Sequence, residues 1–212
     1  MEKVLRANLA IAVIFLIIKP NYFYSQYNPT IRTGRPGQAI GAFTVGKKIL
    51  QLQQGVDYYG QINTVSKPQS YVSNNVIRYG IKETIELSAL VDYQNDSYKI
   101  KDTTYSYNGL SNLHVGFRAH LTDQNGIIPS TCFQMRLKMP SISKEYGTAY
   151  VAPAMNLVAN WRLNSKLGLC TNWILVYSGN NEVPTGKYVL NFNFPLSEKW
   201  SGFVENYGQL RK

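Results

Sequence analysis

Few residues of this chain have types and spacings that could do chemistry, and most of those are charged. Arg78 and Glu86 flank a short Gly80-Ile81-Lys82 stretch. Brought together on neighbouring segments, a guanidinium and a carboxylate make a bidentate, charge-assisted pair, to which Gln53 on the preceding segment can add its amide. In an interior away from water, such a pair serves as a bolt, because polar groups there need partners. The functional alternative is a passage lined by Arg78, Arg118, Arg136, Lys138 and Lys187 that favours anions. Glu86, Asp92 and Glu205 oppose these cations, so the bias would be modest. His114 and His120 share one face of one segment but stand too far apart along it to hold a metal without a third ligand. They read as side chains that fill space, and neither a metal nor a cofactor is expected. No GxSxG-type nucleophile motif occurs, and an enzyme is not expected.

The segments carrying these residues alternate with period two, the mark of strands with one apolar and one polar face. From Ile49 to Tyr59, Leu50, Leu52, Val56 and Tyr58 oppose Gln51, Gln53 and Asp57. From Thr84 to Tyr93, Ile85, Leu87, Ala89 and Val91 oppose Glu86, Ser88 and Asp92. The pattern recurs over Asn112–Leu121, where Leu113, Val115 and Phe117 oppose His114, Gly116 and Arg118, and over Cys132–Met139, where Phe133, Met135 and Leu137 oppose Cys132, Gln134, Arg136 and Lys138. Weaker signals over Ser73–Tyr79, Tyr150–Trp161, Lys166–Val176, Lys187–Phe194 and Trp200–Tyr207 bring the total to about nine strands. Most exceed the five or six residues typical of soluble sheets and approach the roughly nine to eleven of a tilted membrane strand.

The connections tend to alternate in length. Residues 60–71, 94–108, 140–148 and 177–186 read as long polar loops, whereas Gly80-Ile81-Lys82, Arg162-Leu163-Asn164 and Ser197-Glu198-Lys199 read as tight turns. Long loops on one side and short turns on the other fit an outer-membrane barrel. Aromatic residues near the strand ends, among them Tyr79, Trp161, Trp200, Tyr58, Tyr93 and Trp173, fit two interfacial girdles. The competing reading is a soluble secreted β-protein whose apolar face lines an inner core. Cys132 and Cys170 face inward on strands separated by one other, about 9 to 10 Å apart. That is beyond disulfide reach, so two free thiols are expected.

At the N-terminus, Glu2, Lys3 and Arg6 precede an apolar run from Ala7 to Ile18 that ends at Lys19-Pro20. The run is shorter than the roughly 20 residues of a spanning helix and has the layout of a secretory signal peptide, with cleavage expected after Ser25. Removing residues 1–25 takes away three cations (Lys3, Arg6, Lys19) and one anion (Glu2), so the formal charge falls from +10 to +8. A basic exported protein meets phosphorylated lipid headgroups or anionic solutes, and export disfavours nucleic acid as a partner.

Several phrases, in order, resemble the outer-membrane family labelled MetA-pathway of phenol degradation: Arg35-Pro36-Gly37, the Leu50–Val56 strand, Ile77-Arg78-Tyr79-Gly80-Ile81 followed by Ile85-Glu86-Leu87, Leu110–Gly116, Leu137-Lys138-Met139-Pro140, and Ser197–Gly208 with Trp200, Phe203 and Glu205. Departures occur where Gly34 and Gln53 replace acidic residues common in the family. The resemblance implies an all-β fold, a transmembrane antiparallel up-and-down β-barrel of about 12 strands, about nine of them readable over residues 26–212. Ending at Arg211-Lys212 without the family's aromatic-ended last strand, and with an odd strand count where single-chain bacterial barrels have even ones, the sequence reads either as C-terminally truncated or as holding one strand more or fewer than nine. The implied function is a channel or transporter for small, hydrophobic or aromatic molecules in the cell outer membrane. Its partners would be outer-membrane lipid, the barrel-assembly machinery during biogenesis, and a small-molecule substrate. The alternative is a non-conducting barrel that serves as a structural or partner-binding element.

Overall fold

The computed structural model describes residues 37–60, 68–100, 103–140, 143 and 145–210. The expected signal peptide, residues 1–25, lies outside them. Nine strands form one sheet: β1 Leu50–Gly60, β2 Gln69–Lys82, β3 Ile85–Ile100, β4 Thr103–Thr122, β5 Ser130–Lys138, β6 Ala152–Arg162, β7 Gly168–Val176, β8 Thr185–Pro195 and β9 Ser201–Leu210. Every neighbouring pair is antiparallel and the spatial order is the chain order. The result is an up-and-down meander curled into a half-barrel. Among the described residues no helix is long and apolar enough to cross a membrane, and β1 and β9 make no contact with each other.

Period-two alternation fixes which side chains face which way. On the convex face Leu50, Leu52, Ile77, Leu87, Phe117, Trp173 and Phe192 are exposed. On the concave face Arg78, Glu86, Asp92, Arg118, Gln134, Asn156, Asn172 and Asn191 are buried. Such a sheet is the reverse of a soluble sandwich, with its grease outside and its polar groups within.

Two expectations about the connections are corrected. Residues 94–108 do not form a long loop: β3 and β4 run on to Ile100 and from Thr103, for 16 and 20 residues respectively. A bulge at Ser111 lets this extension keep pairing, since Asp92 faces Asn112 while Tyr93 faces Leu110. Tyr98 stacks on Tyr105 within it, in a stretch where alternating tyrosine and hydroxyl residues favour strand over loop. Gly80-Ile81-Lys82 belongs to β2, and the tight turn is Glu83-Thr84.

Both cysteines face inward, on β5 and β7 with β6 between them, and both thiols are free.

Candidate functional site

Residues 37–49 form a strap that crosses the concave face from β9 to β2 before turning into β1. No element is expected for this stretch from the sequence. Apart from the Thr44 hydroxyl, which donates to the Glu83 carbonyl, its polar attachments are made by its own backbone. Gln38 and Ala39 donate their amides to the Glu205 carboxylate at 2.7 and 3.0 Å. Ile40 donates to Asn172 Oδ1 at 2.9 Å, and Asn172 Nδ2 donates back to the Ile40 carbonyl at 3.0 Å. The Cys170 thiol also donates to that carbonyl, at 3.2 Å. The Ala42 amide donates to Asn160 Oδ1 at 3.1 Å, and the Ala42 carbonyl meets His120 Nδ1 at 2.8 Å. Extended backbone placed across strands finds no ladder partners, so the lumen side chains supply them.

The strap's far end rests on the charge cluster. Arg78 donates from Nε and Nη2 to the two oxygens of Glu86 at 2.8 and 2.7 Å. Arg118 Nε stands 3.6 Å from Glu86 Oε1. The Glu86 carboxylate, 0% exposed, also accepts the Val45 amide at 2.8 Å. Both guanidiniums donate to the Phe43 carbonyl, Arg78 at 3.3 Å and Arg118 at 2.9 Å. One buried carboxylate between two arginines leaves a residual positive charge, and a backbone carbonyl is the neutral acceptor that suits it.

Gly80 permits the last contact. A Cβ built there would lie 1.8 Å from the Gly46 carbonyl oxygen. Lys48, at φ 61°, turns the chain so that its amide donates to the Gly80 carbonyl at 2.8 Å. Ala42 packs in the middle of the strap against Cys132, Val158 and Cys170, with Ala39 and Ile40 beside them.

Arg78, Glu86, Arg118, His120 and Asn160 lie near the strand ends joined by short turns, and Asn172 and Glu205 about midway along β7 and β9, so the strap forms a floor across the concave face toward that end. Below it, Phe43, the turns around Asp123 and Asn164–Leu167, and Arg162 line an open cleft of about 760 Å³. Above it the concave face runs on toward the long connections.

The expected lumen residues fall into separate groups. Arg78 and Glu86 form the pair, but its amide partner is Gln51 at 3.2 Å and not Gln53. Register decides this, because Gln51 faces Arg78 and Gln53 faces Val76. Arg118 joins the pair. Arg136, Lys138 and Lys187 stand on the concave strand positions of β5 and β8; Arg136 borders the Glu86 cluster through Gln134, which also meets Arg118, and among the described residues none of the three pairs with Glu86. His114 and His120 stay apart: His120 holds the strap, whereas His114 Nδ1 is buried without a partner among the described residues. Among the described residues no group of His, Cys, Asp or Glu could hold a metal ion. Of the strap's anchors, Asn172 and Asn160 were missed by sequence reading, their only signal being polarity at inward positions, whereas Glu205 and His120, read as a counter-charge and a space-filling side chain, hold the strap.

No curated protein matches the chain. The family model described as "Putative MetA-pathway of phenol degradation" matches residues 33–212, which include the strap and all nine strands, and the chain belongs to that family.

Proposed function

We propose that the protein is an outer-membrane β-barrel that passes small molecules, with the strap closing its short-turn end. The observation that carries this reading is the inverted sheet: exposed aliphatic and aromatic side chains on the convex face suit hydrocarbon, and the buried polar concave face suits an aqueous interior. Strands of nine to twenty residues are long enough to cross a bilayer when tilted. In hydrocarbon, unpaired backbone at β1 and β9 is too costly to leave open, so those edges are paired there by strands beyond the nine. The family's label suggests aromatic solutes, an association that no residue contact supplies by itself. Closure by the strap favours a second reading, a barrel that conducts nothing and serves a structural or partner-binding role.

The protein is to be folded into detergent, checked for heat-modifiable migration on a gel, and studied in planar bilayers. Steady conductance supports the pathway, a folded but silent barrel supports the second reading, and a water-soluble monomer contradicts both.

A further inference from the structure

Above the strap, the concave faces of β3, β4 and β5 hold a group of polar atoms that the fold leaves unused. Ser88 Oγ, Asp92 Oδ1, Ser111 Oγ and His114 Nδ1 are buried without a hydrogen-bond partner among the described residues. Asp92 is satisfied on one side only, where Asn112 Nδ2 donates to Oδ2 at 3.0 Å. Each orphaned buried polar group costs about 1–3 kcal/mol, and here four of them gather beside two cations.

Two cations stand beside these atoms. Arg136 faces Gly116, which in turn faces Ser88, and Lys138 faces His114. With no side chain at Gly116, Arg136 lies over it, its Cγ 2.9 Å from where a Cβ would stand. The Gln134 amide oxygen, turned to face the guanidiniums, accepts from Arg136 at 3.1 Å and from Arg118 at 3.1 Å. This leaves most of the Arg136 donors free. Among the described residues neither Arg136 nor Lys138 has a carboxylate within ion-pair distance. On the other side, Ala154 faces Arg136 and Ala152 faces Lys138, so small side chains keep the space over both cations open.

We infer that Arg136, Lys138, His114 and Asp92 form a binding site for a small carboxylate that also carries a hydrogen-bond donor. The carboxylate lies against Arg136 and Lys138, which stand two residues apart on one strand face, about 6–7 Å along the strand. The donor, a hydroxyl or amine, reaches Asp92 Oδ1. Arg78 and Arg118 take no part, since Glu86 and the strap use them. The site deepens the solute-pathway reading and rests on it only for its purpose, because binding can be read with no flux at all.

The test is calorimetric titration of the folded full chain in detergent micelles, with malate as probe and succinate as the analogue lacking the hydroxyl. Saturable malate binding is expected, weakened about tenfold or more in both Arg136→Gln and Lys138→Gln, with succinate weaker than malate. Among the described residues Lys138 has no hydrogen-bond or ion-pair partner to lose, so Lys138→Gln keeps heat-modifiable migration even if Arg136→Gln fails to fold. Absence of malate binding to the wild type, or binding undiminished in Lys138→Gln, overturns the site. Malate binding by a protein that conducts nothing keeps the site and removes the pathway; conductance without malate binding does the reverse.

Discussion

The amide of Val45 donates to the carboxylate of Glu86 at 2.8 Å, across a separation of 41 residues. Together with the Phe43 carbonyl that accepts from Arg78 and Arg118, this contact makes the strap and the charge cluster a single unit. The carboxylate that neutralises Arg78 and Arg118 also holds the backbone that floors the concave face. Removing the charge therefore loosens both.

Glu86→Gln leaves two guanidiniums buried without a carboxylate and is expected to cost about 3–5 kcal/mol. Urea titration of the protein folded in lipid, followed by tryptophan fluorescence, measures it. A loss below about 1 kcal/mol, the value of one ordinary hydrogen bond, contradicts the cluster's role.

Gly80→Ala tests where the strap turns into β1. The added methyl would lie 1.8 Å from the Gly46 carbonyl oxygen, and overpacking of this kind costs roughly 1–3 kcal/mol. Displacing the Gly46–Ile49 turn also exposes the chain around Lys47 and Lys48, so limited trypsin digestion is expected to cut there faster than in the wild type. An unchanged cleavage rate would place the strap elsewhere.

Between β5 and β6, outside the strands, Tyr146 donates its hydroxyl to Asp96 Oδ2 at 2.8 Å. Burial first, then this hydrogen bond and the Asp96 charge, raise its phenol above the ordinary pKa of 10. A raised folded-state pKa means stability that is fully present below the unfolded value and is lost as pH climbs toward the folded one. Ultraviolet titration of the wild type and of Tyr146→Phe is expected to show that Tyr146 is among the last tyrosines to ionise, and Asp96→Asn to bring it back toward the ordinary range. A Tyr146 that ionises with the others in the wild type contradicts this contact.

The strands were legible in the sequence because period-two alternation is a local signal: Leu50, Leu52 and Val56 against Gln51 and Gln53 need nothing else to be seen. Register was not legible. Which of Gln51 or Gln53 meets Arg78 depends on how β1 registers against β2, and the irregularity between Gly80 and Lys82 that moves the β2–β3 turn leaves no pattern. The strap was hidden for a deeper reason. Its contacts are made by the amides and carbonyls of Gln38, Ala39, Ile40, Ala42, Phe43 and Val45, groups that every residue type carries alike. Only the small residues Ala39, Gly41, Ala42 and Gly46, which let backbone lie close to the sheet, hinted at it.

The measurement that bears most directly on the strap as a floor is the labelling rate of Cys132 and Cys170 by a small water-soluble maleimide, in the folded wild type and in Glu205→Ala. Both thiols are buried in the cluster that Ala42 completes, and Glu205 anchors the strap's first residues. The account predicts slow labelling of both in the wild type. In Glu205→Ala, the loss of two charge-assisted hydrogen bonds should speed Cys170, beneath Ile40, about tenfold or more and ahead of Cys132. Wild-type thiols that react as fast as in unfolded protein, or a Glu205→Ala variant that labels no faster than the wild type, would contradict it.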